Sequence, residues 1–329
     1  MKIAITGGAG FIGSHLTKAY LDAGHDVLVI DNLFHGSRRA IDPRARFYHL
    51  DIRDGKLRTL LERERPDLVS HHAALYGQQD IPGEQPLANA DVHIRGLLNV
   101  LESSIDAAVS KVIFASGGNT LYGRVKPEHL PITEETPLCP QHPHDISTVA
   151  GEWYVRYYAQ HYGLKYTTLR YADVYGETDG TLARHPLSYF ISMLQKRRRP
   201  VIREAPDEVR DHIFIDDVVR ANLRALTRGE NQTLHISSGR GYPLSHLYQL
   251  VADVLESEIE PVYLSSPRME ASSIVLDNTR ARHVLGWQPE VNLSVGIWRA
   301  VELLHKQSEP LVPLQMREVS LQAASYARQ

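Results

Sequence analysis

The segment Thr6-Gly7-Gly8-Ala9-Gly10-Phe11-Ile12-Gly13 constrains this chain more than any other. It follows a β-branched run, Lys2–Thr6, and opens a stretch with apolar residues at helical spacing, Ile12–Ala23. Three glycines at this spacing between strand and helix have separate tasks. Gly7 allows a tight turn, Gly10 lets a pyrophosphate approach the backbone, and Gly13 lets the helix pack on the strand. The helix start then presents unbonded N–H groups and a positive dipole end to the anion, through Phe11, Ile12 and Gly13. The next β-branched run, Asp26–Ile30, leads directly into Asp31. A carboxylate there takes both ribose hydroxyls of NAD and repels the 2′-phosphate of NADP. The segment therefore predicts a dinucleotide site with NAD as cofactor.

The rest of the first half keeps the same rhythm. Arg46–Leu50, Asp67–His71, Lys111–Ala115 and Lys165–Arg170 read as strands, with helical patterns between them, among them Leu87–Ser103. Strand and helix in alternation imply an α/β fold, a Rossmann-type doubly wound parallel sheet over residues 1–175. Beyond Tyr175 the pattern is irregular. Helices are expected at Leu182–Lys196, Asp216–Arg228, Leu244–Leu255 and Ser294–His305, and strands at Asp211–Ile215 and Leu234–Ser237. This reads as a smaller C-terminal α+β substrate lobe over 176–305, with segments near 205–240 returning to the first domain and a tail over 306–329. The formal charge of −3 in 329 residues offers no basic face for nucleic acid. No apolar run approaches the roughly 18 residues of a membrane span. The lone cysteine, Cys139, excludes an internal disulfide and fits a reducing compartment. The expectation is a soluble cytoplasmic protein.

Motifs along about residues 1–305 carry a resemblance. They include the glycine segment, Ile30-Asp31-Asn32-Leu33, Asp51-Ile52-Arg53-Asp54, His71-His72-Ala73-Ala74 and Leu121-Tyr122-Gly123. Further along come Leu169-Arg170-Tyr171-Ala172, Val174-Tyr175-Gly176, Arg210-Asp211-His212-Ile213-Phe214-Ile215-Asp216-Asp217 and Leu285-Gly286-Trp287-Gln288-Pro289. In combination they resemble the extended short-chain dehydrogenase/reductases, and among these the NAD-dependent nucleotide-sugar epimerases and dehydratases of the UDP-glucose 4-epimerase type. The resemblance implies that Asp31 and Asn32 hold the adenosine ribose, Asp51 and Ile52 flank the adenine, and Ala73 and Ala74 line the dinucleotide. It also implies a homodimer built from the Leu87–Ser103 helix and the helix carrying Trp153, Tyr154, Tyr157 and Tyr158.

The reaction centre departs from that family's pattern. A tyrosine and, four residues later, a lysine are expected; Pro143-His144-Asp145-Ile146-Ser147-Thr148 places His144 and Thr148 there instead. Gly117 replaces the usual Ser or Thr of the proton path, leaving Ser116 and Thr120 as stand-ins. His93 stands where an Asn near the cofactor is usual. Asp173 replaces the Asn facing the substrate diphosphate, and a carboxylate there repels a diphosphate unless it is protonated or bridged by a cation. Arg210 and Arg268 occupy positions where the family clamps that diphosphate, a task suited to the planar guanidinium fork.

Two readings remain open. One is a catalytically inactive protein that binds NAD or a sugar nucleotide. The other is an enzyme with an atypical base, an epimerase or oxidoreductase acting on a nucleotide sugar. Imidazole titrates near 6.5, so His144 needs no lysine to lower its pKa, and an ammonium beside it is counterproductive. Imidazole reaches less far than phenol, so the substrate has to sit deeper. Asn119-Thr120-Leu121 supplies none of the acids that sugar dehydratases or decarboxylases place there. No metal site is assigned: His142, His144, Asp145 and His129 lack any recognised ligand spacing. Lys196-Arg197-Arg198-Arg199 reads as a solvated helix end.

Overall fold

The computed structural model describes residues 1–75, 85–176, 185–202, 208–264 and 273–307. Seven strands form the main sheet: β1 (Lys2–Thr6), β2 (Asp26–Asp31), β3 (Arg46–His49), β4 (Leu68–His71), β5 (Lys111–Gly117), β6 (Lys165–Tyr171) and β10 (Gln232–Ile236). Their order is β10-β6-β5-β4-β1-β2-β3, and every neighbouring pair is parallel. The chain winds outward from β1 to β3, crosses back through helix α2 (Lys56–Glu64) to β4, and then winds the other way. The reversal falls between β1 and β4, and ligands bind beyond the strand ends at such a point. The glycine loop leaves β1 and Ala73-Ala74 leaves β4 on opposite sides of that crevice.

Alternation along the strands feeds two cores. Ile3, Ile5, Val27 and Val29 pack with Leu16 and Tyr20 of α1 (Phe11–Asp22) and with Val218 and Ala221 of α7 (Ile215–Ala225). Ala4, Leu28, Ile30 and Val69 face the other way. They pack with Leu57 and Leu61 of α2, Leu97 and Leu101 of α4 (Leu97–Asp106) and Val155 and Tyr158 of α5 (Pro143–Tyr162). Helix α4 continues α3 (Pro86–Ala90) through a π-helical turn, Asp91–Gly96.

A second layer of structure stands beyond the main sheet. Strand β9 (Val209–Phe214) pairs in parallel with β7 (Asp173–Tyr175) and antiparallel with β11 (Gly241–Pro243). Strands β8 (Val201–Ile202) and β12 (Val262–Tyr263) form a two-stranded ribbon. Helices α6 (Pro186–Gln195), α8 (Leu244–Val254), α9 (Thr279–Leu285) and α10 (Leu293–Gln307) complete it. Two buried aspartates tie its loops together. Asp211 accepts from the Ser238 and Gly239 N–H groups at 2.9 and 3.0 Å. Asp217 accepts from the Glu290 and Val291 N–H groups at 2.9 and 3.1 Å.

Some boundaries differ from the sequence reading. Ile215 opens α7 rather than closing a strand, because Asp216 and Asp217 favour a helix's first turn. Strand β10 joins the main sheet beside β6, whereas β9 belongs to the three-stranded sheet. Helix α10 runs through Gln307, past the expected start of a tail, and residues 308–329 lie outside the described residues. The expected start of α6 at Leu182 also lies outside them.

Candidate active site

The cradle at the β1 end has the shape that a pyrophosphate requires. Gly7 is left-handed (φ 72°), and a Cβ there would meet Ala73 N at 2.6 Å. A Cβ on Gly13 would meet Gly7 O at 2.2 Å, so the helix can approach the loop only without a side chain. The first bond of α1 is Ser14 N–H to Gly10 O at 2.9 Å, which leaves the Phe11, Ile12 and Gly13 N–H groups directed to the helix end. Gly10 itself donates to Gly7 O at 3.1 Å and closes the turn.

Asp31 is fixed by two backbone donors, Ala9 N–H to Oδ2 at 3.0 Å and Leu33 N–H to Oδ1 at 2.7 Å. Each oxygen keeps a further lone pair, enough for two ribose hydroxyls. Asn32 donates to Asp51 Oδ2 at 2.8 Å. Asp51 also accepts from Arg53, which bonds Asp91 at 2.6 Å. Hydrogen bonding by Arg53 holds the Asp51 carboxyl well below the usual range. Ile52 is buried, and a Cβ on Gly96 would strike it at 2.6 Å. Ala73 N–H lies 3.4 Å from Thr6 Oγ1, which also bonds His71 Nδ1 at 2.8 Å. These residues fit an NAD: two Asp31 oxygens each with a lone pair left for the ribose, a side-chain-free anion cradle, and an apolar wall.

At the expected reaction centre, His144 lies on the first turn of α5 and His93 on the π turn. The rings meet edge to face with centroids 4.6 Å apart. His93 Nε2 lies 3.1 Å from the Leu75 N–H and 3.3 Å from the Leu75 carbonyl, so the Leu75 backbone meets this nitrogen with both a donor and an acceptor. Burial and the neighbouring His144 push His93 down to about 3. Burial also lowers His144 below the usual 6.5, against the pull of Asp145 and a bond to the Leu75 backbone. The positive end of α5 acts in the same direction as burial.

The three hydroxyl candidates are all engaged. Thr148 Oγ1 donates to the His144 carbonyl at 2.9 Å. Thr120 Oγ1 donates to Asp145 Oδ1 at 2.7 Å, a carboxylate that is itself buried. Ser116 Oγ donates to Glu152 Oε1 at 2.7 Å and so joins a different group. There Arg170 grips Glu152 through Nε at 2.8 Å and Nη2 at 2.6 Å. Arg170 also donates to Tyr122 Oη at 2.7 Å, and Tyr122 bonds His235 Nε2. This chain of contacts is buried throughout.

On the far side of the crevice, Asp173 and His212 face each other as partners on β7 and β9. Arg210 Nη1 lies 3.7 Å from Asp173 Oδ2, but its closer partner is Glu208, at 2.7 Å. Burial pushes the Asp173 carboxyl up, yet Arg210, His212 and His185 together hold it below the usual range. Arg268 lies outside the described residues.

Residues 3–237 match the profile of the NAD dependent epimerase/dehydratase family. This chain belongs to that family. Its solved relatives include a UDP-glucose 4-epimerase with UDP-glucose from Thermotoga maritima, at 36% identity and TM-score 0.88, covering 94% of this chain and 100% of that one. The Thermus thermophilus UDP-glucose 4-epimerase in complex with NAD matches at 30% identity and TM-score 0.84, covering 93% and 99% of the two chains. The UDP-glucose 4-epimerase of Lactobacillus helveticus is 33% identical over 311 residues, 88% of this chain and 92% of that one. The family uses NAD, in agreement with the cofactor read from Asp31.

Within this epimerase/dehydratase fold, His144, Thr148, Thr120 and His93 come together, and Ser116 belongs to the Glu152–Arg170 group. Sequence reading assigned no role to His185, the N-cap of α6, or to His212. Their positions relative to Asp173 are 12 and 39 residues away, and only the β7–β9 pairing and the start of α6 bring them together. No local spacing carried that signal. Among the described residues, His142, His144, Asp145 and His129 form no group able to hold a metal.

Proposed function

We propose that this chain is an NAD-dependent nucleotide-sugar epimerase in which His144 takes the place of the usual tyrosine base. The observation that carries the reading is the half-buried His144 ring, set edge to face on the buried His93 and beside the buried Asp145, where burial lowers its pKa below the usual 6.5. A general base needs an unprotonated nitrogen at working pH, and burial provides one without a lysine. NAD, when bound, supplies a reversible hydride acceptor. His144 takes the proton from the sugar hydroxyl and returns it. The imidazolium so formed is balanced by the Asp145 carboxylate, which Thr120 orients. Thr148 fixes the turn that carries His144 but brings no charge to the cofactor. His144→Tyr alone does not restore family-like catalysis, since a phenol without its lysine keeps a pKa near 10.

The relatives act on UDP-glucose, and a UDP-type sugar is the substrate class we assign. Imidazole reaches about 2 Å less far than phenol, and a base must come within hydrogen-bond distance. Turnover of UDP-glucose and UDP-galactose is therefore expected to lie about 10²–10⁴-fold below ordinary family rates. A sugar that seats deeper is the better substrate. Purified protein screened against nucleotide sugars, with product analysis and absorbance of NADH, tests this. Epimerisation of at least one sugar is expected. Binding of sugars with no turnover of any supports the inactive reading instead.

We also propose a cytoplasmic homodimer through α5 and the α3–α4 helix. Trp153 is 62 % exposed, Tyr157 45 % and Leu87 86 %, a concentration of large apolar groups on the surface. Trp153→Glu should convert the dimer to monomer in sedimentation; an unchanged dimer would place the interface elsewhere. Among the described residues, no helix is long and apolar enough to cross a membrane.

A further inference from the structure

Asp173, His185 and His212 come from three separate places: the start of β7, the N-cap of α6 and the middle of β9. One ligand atom from each lies within 4.8 Å of the other two. Asp173 Oδ2, His185 Nε2 and both ring nitrogens of His212 are buried and have no hydrogen-bond partner among the described residues. Buried polar atoms are nearly always satisfied, so three side chains that bring such atoms to one point call for a ligand. The two rings meet edge to face with centroids 5.5 Å apart.

We propose that Asp173, His185 and His212 bind one divalent d-block cation of the zinc class, and that its open positions take the diphosphate of the substrate. Two imidazole nitrogens and one carboxylate suit zinc, cobalt or iron and suit magnesium or calcium poorly, since those prefer oxygen. Three protein ligands leave room for an exogenous oxygen. The centre of a triangle with 4.8 Å edges lies about 2.8 Å from each corner. Closing to the usual Zn–N bond of about 2.1 Å takes roughly 0.7 Å of movement per ligand. Asp173 removes a neutral donor from the diphosphate position and adds negative charge; a bridging cation reverses that sign. Arg210 does not block the ion, because Glu208 already holds its guanidinium more closely than Asp173 does.

Loading has one structural consequence. His185 Nδ1 accepts from Leu187 N–H at 3.2 Å and caps α6. Ligation through Nε2 moves the ring proton to Nδ1, so the cap opens and the first turn of α6 exchanges amide hydrogen faster. The diphosphate clause rests on the nucleotide-sugar reading; the ion site does not.

The test uses the full chain, stripped with a chelator and titrated with Zn²⁺ by calorimetry and with Co²⁺ by visible absorption. One equivalent should bind, with the d–d bands of a low-coordinate nitrogen–oxygen site. His185→Ala, His212→Ala and Asp173→Asn should each weaken binding by more than about 100-fold, the upper range for outer-shell changes. Circular dichroism of each metal-free variant checks folding, and the wild-type titration stands even if a variant fails. Absence of binding, or binding retained in all three folded variants, would overturn the site. UDP should then bind at least about tenfold tighter to the loaded protein. Equal UDP affinity with and without the ion would overturn the diphosphate clause. Failure of UDP to bind the loaded protein would instead refute the nucleotide-sugar reading and leave the ion site standing.

Discussion

Acid should unfold this protein earlier than its carboxylates alone would require. His71, His72, His93 and His235 are each pushed by burial from the usual 6.5 down to about 3. His235 illustrates why: it is fully buried with its Nε2 bonded to Tyr122, and burial and the nearby Arg170 charge outweigh the Asp277 carbonyl, 3.1 Å from Nδ1, which favours the proton. Between pH 6.5 and 3 the unfolded chain binds these protons and the folded chain does not. Stability is therefore fully present above about 6.5 and falls as pH drops through that window. From pH 7 to 5.5 each histidine forfeits about 1.2 kcal/mol, or about 5 kcal/mol for the four. Asp211 works the other way. Burial pushes its carboxyl up to about 7, so protonation on acidification returns about 1.5 kcal/mol. The net loss is about 3 kcal/mol, a large share of a typical stability of about 5–15 kcal/mol. Urea unfolding with EDTA present, followed by fluorescence of the buried Trp287, measures it at both pH values. Equal unfolding free energies at pH 7 and 5.5 would refute the burial of neutral histidines as the source.

Three further outcomes follow from the site. Asp31→Ala should weaken NAD binding and erase the preference over NADP in thermal-shift titrations; a preference kept intact would move discrimination to another residue. Glu152→Gln should cost about 3–5 kcal/mol, because it strands the Arg170 charge in a fully buried position; a melting curve close to wild type would contradict that. His144→Tyr combined with Thr148→Lys should recover more UDP-glucose epimerase activity than His144→Tyr alone, and equal rates in both would show that Asp173 or Gly117 blocks the reaction.

The parts of this fold that local chemistry specifies were legible in advance. The glycine loop, the strand runs and Asp31 each act through neighbours in sequence; the structure pairs the strands in one parallel sheet and seats the glycine loop and Asp31 at the ends of β1 and β2. The reading of His144 and Thr148 at the tyrosine and lysine positions rests on the flanking residues alone; the structure sets both on α5. What the sequence concealed depends on long-range pairing. Ser116 looked like a free hydroxyl until β5 and β6 placed it against Glu152 and Arg170. Asp173 read as a repulsion unless protonated or bridged by a cation, and only the β7–β9 pairing sets His212 opposite it. The π turn at Asp91–Gly96, which carries His93, has no compositional signal, because its residues also suit an ordinary helix.

The central claim is that His144 moves the proton. Its most direct test is hydride transfer in His144→Ala, measured as NADH absorbance in a single turnover with the best nucleotide sugar from the screen, alongside NAD affinity by calorimetry. Wild-type transfer should decline as pH falls through the lowered His144 pKa, below about 6.5. In the variant, transfer should fall about 10²–10⁴-fold, the usual worth of a general base, while NAD affinity stays close to wild type. A His144→Ala protein that still forms NADH at the wild-type rate would contradict the account and pass the role to another group, with Asp145 and Tyr122 the nearest alternatives.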